Sequence, residues 1–147
     1  GMNWAEVDLD NAIWTIPADR MKASAAHRIP LAKQVVQFLQ ELHNQRICET
    51  NLVVPSSRNT PLSDMAFTKF LREQNITSDV IDRHATAHGF RSSFRDWASE
   101  NGFQRDLAER ALAHTIKSST EAAYHRTDLL EQRREMMQQW ADFCLRN

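Results

Sequence analysis

Residues 4–31, WAEVDLDNAIWTIPADRMKASAAHRIPL, decide the fold. Three short runs rich in β-branched and aromatic residues stand out: Trp4 to Val7, Ala12 to Ile16, and Arg28 with Ile29. Such residues fit a pleated surface, and turn-forming Asp10-Asn11 divides the first run from the second. The polar stretch from Asp19 to Ala26 divides the second from the third. The pattern predicts a small antiparallel three-stranded sheet whose last connection is a longer hairpin arm.

Outward from this stretch the period changes from two to that of a helix. Leu31, Val35, Val36, Leu39 and Leu42 recur on one face, predicting an amphipathic helix that ends near Asn44. Leu52 to Val54 reads as one further brief strand. Beyond Pro61 the pattern is helical. Met65, Phe67, Phe70 and Leu71 mark one helix, with Ser63 as its N-cap. Phe90, Phe94, Trp97 and Ala98 mark another, closed by Gly102. A shorter helix runs from Gln104 to Leu112. Ser118, Ser119 or Thr120 caps one containing Tyr124, and Asp128 opens a last one bearing Leu129, Leu130, Met136, Met137, Trp140 and Phe143. The expected class is α+β, mainly helical, with a small N-terminal sheet packed on a helical body.

A chain of 147 residues, 41% hydrophobic and 25% charged, with three glycines and four prolines, is the size and composition of one folded domain. No apolar run approaches the roughly 20 residues that cross a bilayer, and no secretory signal opens the chain, so no membrane partner and a cytoplasmic location are expected. Cys48 and Cys144 lack the spacing of a zinc site or a disulfide framework and read as buried free thiols. The net charge of −1 runs against a nucleic-acid partner, whose contact surfaces carry excess Lys and Arg, although an acidic back can coexist with a basic face.

The chemistry-bearing residues lie in the helical part. In His88-Gly89-Phe90-Arg91 the three-residue spacing places an imidazole and a guanidinium on one helix face, and Arg95 extends the stripe. Beside it runs the apolar stripe of Phe90, Phe94, Trp97 and Ala98. The pair would sit at a seam between core and solvent, where charged groups can be held rigidly. Alone, the same spacing equally describes a solvated helix face. His84 and His88, one turn apart, could also hold zinc, but the glutamate of His-Glu-x-x-His is missing, and no metal site is expected. Downstream come Leu112-Ala113-His114 and then, ten residues after His114, Tyr124, the single tyrosine of the chain.

A helical His-x-x-Arg, then Leu-small-His, then a tyrosine, in this order, resembles the signature of tyrosine recombinases of the phage integrase family. The strings HGFRSSFRDWASENGF (88–103) and ALAHTIKSSTEAAYHR (111–126) resemble integrases of satellite phages and genomic islands in particular. Residues 4–31 are similar to the family's three-stranded sheet, with Lys22 in the hairpin that presents its catalytic lysine. The likeness spans nearly the whole chain. It implies catalytic positions for Lys22, His88, Arg91, His114 and Tyr124, a bacterial or phage origin, and double-stranded DNA as partner, with Arg20 and Lys117 as further DNA contacts. The family pattern also has an earlier arginine on a helix ahead of the first strand. No residue here fills that position, Arg20 and Arg28 being misplaced for it, so residues 1–147 are expected to be one partial catalytic domain.

The residue types suit the implied chemistry. A phosphodiester repels anionic nucleophiles, and a phenol of pKa about 10 is mostly protonated at neutral pH. Arg91 can give a phosphate two parallel hydrogen bonds, His88 can accept the phenolic proton, and Lys22 can protonate the departing 5′ oxygen. His114 would bind or orient the phosphate. Attack would leave a 3′-phosphotyrosine that a second 5′ hydroxyl can displace, with no cofactor. Three other expectations stand beside this one: a non-catalytic remnant or dimerising DNA-binding module of the same fold, a metal-dependent phosphodiesterase using the histidines, and a homo-oligomer contact through the C-terminal helix.

Overall fold

The computed structural model describes residues 1–46, 50–114 and 127–146. Cys48, Lys117 and Tyr124, with the helix expected around Tyr124, lie outside the described residues. The chain opens with a 3₁₀ turn at Trp4–Glu6 rather than a strand. The cause is local: the Asn3 backbone N–H donates to Glu6 Oε2 at 3.2 Å, and the Glu6 N–H donates back to the Asn3 carbonyl at 3.1 Å. Strand β1 (Val7–Asp8) follows, then β2 (Ile13–Ile16) and β3 (His27–Pro30), in the order β1-β2-β3. Both pairings are antiparallel, with Val7 opposite Trp14 and Trp14 opposite Ile29. The Asp8 carboxylate closes the first turn by accepting from the Asn11 N–H at 2.8 Å.

Helix α1 (Lys33–Asn44) begins after Pro30 and ends at Asn44, as its periodicity predicts. Residues 51–53 return beside the N-terminus, where Trp4 N–H bonds the Asn51 carbonyl and Val53 N–H the Met2 carbonyl. The strand expected over Leu52 to Val54 is reduced to an isolated bridge between Asn3 and Leu52. Then come α2 (Ala66–Glu73), α3 (Ala87–Glu100), α4 (Arg105–Ala111) and α5 (Leu130–Cys144). Ser63 does not cap α2; Met65 occupies the N-cap position, and Ser63 contributes its backbone carbonyl to the Ala66 N–H.

Two apolar clusters form. Leu31, Leu39 and Val53 are buried between the sheet and α1, packed by Trp4, Val7, Trp14 and Val36. Phe94, Trp97, Ala98, Leu107, Ala108 and Met136 are buried where α3, α4 and α5 meet. Aromatic rings dominate the second: Trp97 and Trp140 lie 5.1 Å apart, and Phe94 meets Trp140 edge-on at 5.4 Å. Polar contacts join the clusters through α5. Gln138 Oε1 accepts from the Lys33 N–H at 2.9 Å, and Gln34 Nε2 donates to Asp142 at 2.6 Å. Two side chains expected inside lie partly outside. Phe90, at the start of α3, is 45% exposed and touches only the rim ring of Phe67, and Cys144 is exposed near the free end of α5.

Candidate active site

The end of α4 organises the site. A helix leaves its last four carbonyls without intrahelical partners, and here each one is met. The His114 N–H bonds the Glu109 carbonyl at 2.9 Å and the Ala113 N–H bonds that of Arg110 at 3.0 Å, with Ala113 at φ +52. This is a Schellman turn with alanine in the left-handed position. The Ala111 carbonyl is taken by the imidazole of His27 on β3. The Leu112 carbonyl is taken by Arg91 of α3, whose Nη2 donates to it at 2.7 Å. A guanidinium here also faces the negative end of the helix dipole. The first and second halves of the motif, 26 positions apart between His88 and His114, are thus joined through one arginine side chain.

Arg91 is placed by the start of α3. Thr86 is the N-cap, its hydroxyl accepting from the Gly89 N–H at 3.0 Å, so the helix begins with His88 in its first turn and Arg91 one turn on. Both side chains are exposed, as is His114. An arginine carries five N–H donors, and the contact with Leu112 engages one of its nitrogens. A cleft of about 630 Å³ also borders α3, lined by Gly89, Ser92, Ser93 and Asp96 together with Val80 and Arg83. His88, Arg91 and His114 are not among its lining residues, so the motif faces elsewhere.

Lys22 is exposed on the connection between β2 and β3, five residues before His27. The base of this arm is braced by Glu6, which accepts from Trp14 Nε1 at 3.0 Å and pairs with Arg20. Partial burial opposes ionisation of Glu6, but the bonds from Trp14, Asn3 and Arg20 outweigh it and hold the carboxyl at about 2. Arg20, expected to reach DNA, is bound to Glu6 and to the Gly1 carbonyl. The arm's lower end is tied to α4 through His27. Burial holds this imidazole below its ordinary value, and the charge of Arg133 adds to the effect against the opposing influence of Ala111 and Asp128. His27 is therefore neutral at physiological pH.

The sequence reading missed Arg133. Its side chain is 1% exposed, and its fork bonds two carbonyls from distant elements, Asp128 at 2.7 Å and Arg28 at 2.8 Å. A signal was present. Leu129, Arg133, Met136 and Trp140 follow the spacing of a buried helix stripe, so the arginine stands in core register. Such a position requires polar partners, and the backbone supplies them.

A model of the phage integrase family matches residues 1–130. Prophage integrase IntA of Escherichia coli K12 is 35% identical over 144 residues, which cover 95% of this chain and 33% of that protein. The integrase of Shigella phage Sf6 is 31% identical over 144 residues, covering 97% of this chain and 36% of that one. The integrase of enterobacteria phage P4 is 31% identical over 160 residues, covering 95% and 35%. The chain spans about a third of the length of these relatives. The crystal structure of XerA recombinase superposes with a TM-score of 0.64 at 18% identity, over 94% of this chain and 50% of that one, and shares the fold. With the family model covering most of its length and relatives above 30% identity along nearly all of it, the chain belongs to the phage integrase family.

Proposed function

We propose that this chain is the strand-transfer part of a site-specific DNA recombinase, acting on double-stranded DNA in the cytoplasm of a bacterium. The Tyr124 oxygen attacks a backbone phosphorus while His88 accepts the phenolic proton. The bond to the 5′ oxygen breaks, and Lys22 protonates that oxygen as it leaves. Arg91 and His114 stabilise the charge on the non-bridging oxygens. A 3′-phosphotyrosine results, and a second 5′ hydroxyl reverses the step, rejoining DNA and freeing the phenol. Bond energy is conserved throughout. The observation that carries this reading is the bond from Arg91 to the Leu112 carbonyl, which brings the α3 pair to the turn holding His114.

The test is a DNA duplex nicked close to the cleavage point, which traps the covalent product. The chain should form an adduct that Tyr124→Phe does not, and an equal adduct from Tyr124→Phe would refute the nucleophile. We further propose that these 147 residues alone act slowly. The family's earlier arginine has no counterpart among them, and loss of one such donor costs roughly 10²- to 10³-fold in rate. Full-speed cleavage by this chain would refute that. Self-association through α5 is a second proposal, favoured by Phe143 and Leu145, 46% and 61% exposed near its end. Sedimentation should then show a dimer that Leu145→Glu dissolves.

A further inference from the structure

Tyr124 stands three residues before Thr127 and ten after His114. A chain spans at most about 3.6 Å per residue, so the Tyr124 Cα lies within roughly 11 Å of that of Thr127. The ten-residue side allows roughly 36 Å and constrains little. Whatever holds Thr127 and Asp128 therefore governs how far the phenol can wander.

That point is held from three elements. Arg110 of α4, its side chain 14% exposed, donates from Nη1 to the Thr127 carbonyl and from Nε to Asp106 at 3.1 Å. Arg133 of α5 donates from Nε to the Asp128 carbonyl at 2.7 Å, and its Nη2 lies 3.4 Å from the Asp128 carboxylate. Arg28 of β3 donates to the same carboxylate at 2.8 Å, while its carbonyl accepts from Arg133 Nη1. Three guanidinium groups converge on two consecutive residues. The next residue, Leu129, has the left-handed φ of +52, a strained choice for leucine that needs such support. Stability does not explain the arrangement well, because an apolar side chain at a buried charged position is often as stabilising as the ion pair it replaces.

We infer that Arg110, Arg133 and Asp128 are positioning residues that pin the chain just downstream of Tyr124 against α4 and β3, limiting the phenol to the neighbourhood of the Ala111–His114 turn. The inference rests on the proposed role of Tyr124. It needs no contact between these residues and DNA. Arg110 ties Thr127 to the helix whose end already gathers Arg91, His27 and His114, so one short helix would reference both the phosphate-binding groups and the nucleophile.

Tyr124 is the single tyrosine, so protein grown with 3-fluorotyrosine gives one fluorine resonance. That resonance is to be compared in wild type, Arg110→Met, Arg110→Lys, Asp128→Asn and Arg133→Met, alongside amide exchange over residues 115–126. Positioning predicts that Arg110→Met and Asp128→Asn move the line toward that of an unfolded peptide. Exchange in the segment should rise about tenfold, the effect of losing one charge-assisted bond, while α1 amides keep their rates. Arg110→Lys, which retains a donor, should restore part of the shift. A line and exchange rates unchanged in Arg110→Met and Asp128→Asn would overturn the inference. If Arg133→Met fails to fold, these two variants decide. Adduct formation by Tyr124→Phe on nicked DNA would instead remove the nucleophile and leave the fluorine result standing, so the two failures are separable.

Discussion

Replacing Glu6 by glutamine tests how firmly the hairpin arm bearing Lys22 is held. The carboxylate accepts from Trp14 Nε1 at 3.0 Å, from the Asn3 N–H at 3.2 Å and from Asn3 Nδ2 at 3.1 Å, and it pairs with Arg20. Its pKa falls from an ordinary 4.5 to about 2. At about 1.4 kcal/mol per pH unit the full difference would exceed 3 kcal/mol, but solvent around the Arg20 partner screens it, and about 1–2 kcal/mol is the realistic share. Because the folded value is depressed, this stability is present above 4.5 and is lost as pH falls toward 2. Urea unfolding of wild type and Glu6→Gln should differ by that amount at neutral pH. The difference should shrink on acidification through the same window, and Glu6→Gln should soften amide protection in the arm more than in α3. A stability gap that is constant from neutral pH down to about pH 2 would refute the argument, because a steric defect does not titrate.

Three further outcomes are expected. Ala113→Gly relieves the left-handed alanine at the end of α4 and should raise stability by about 0.5–1 kcal/mol, visible as a higher Tm; a lower Tm would contradict the turn. Trp97→Ala empties the aromatic cluster and should cost about 3–5 kcal/mol in urea unfolding, against less than about 0.5 kcal/mol for exposed Ser99→Ala. His27, held neutral by burial, binds its proton more readily in the unfolded chain, so stability should decline as pH falls below 6.5; His27→Gln should flatten that part of the urea profile.

Much of the fold was legible because its signals are local. The run from Leu31 to Leu42 announces α1, and Asp10-Asn11 announces the turn between β1 and β2. Misreadings arose where a nearby side chain competes for the backbone: Trp4–Glu6 has strand-like residues, but Glu6 folds back onto Asn3 and tightens the chain into a turn. Phe90 belongs to an apolar stripe by spacing, yet periodicity states which side chains share a face and not whether that face is covered. The same limit applies to Phe67 and Phe70, about half exposed on α2. For the site, motif order named the residues of α3 and the turn after α4. What it could not convey is that Arg91 caps α4, that His27 caps the preceding carbonyl, or that an arginine occupies the core stripe of α5. Those contacts span 21, 84 and more than 100 positions, and they depend on packing rather than on neighbours in sequence.

The division of the interior into two apolar clusters sets how the molecule comes apart. Each cluster is cemented by side chains worth about 1.5–3 kcal/mol apiece on burial, whereas the glutamines and arginines bridging them contribute about 1 kcal/mol each. Mechanical or thermal stress therefore concentrates on a hydrophilic joint. The sheet block and the helical block are two cooperative units, and the loss of their registry precedes the melting of either.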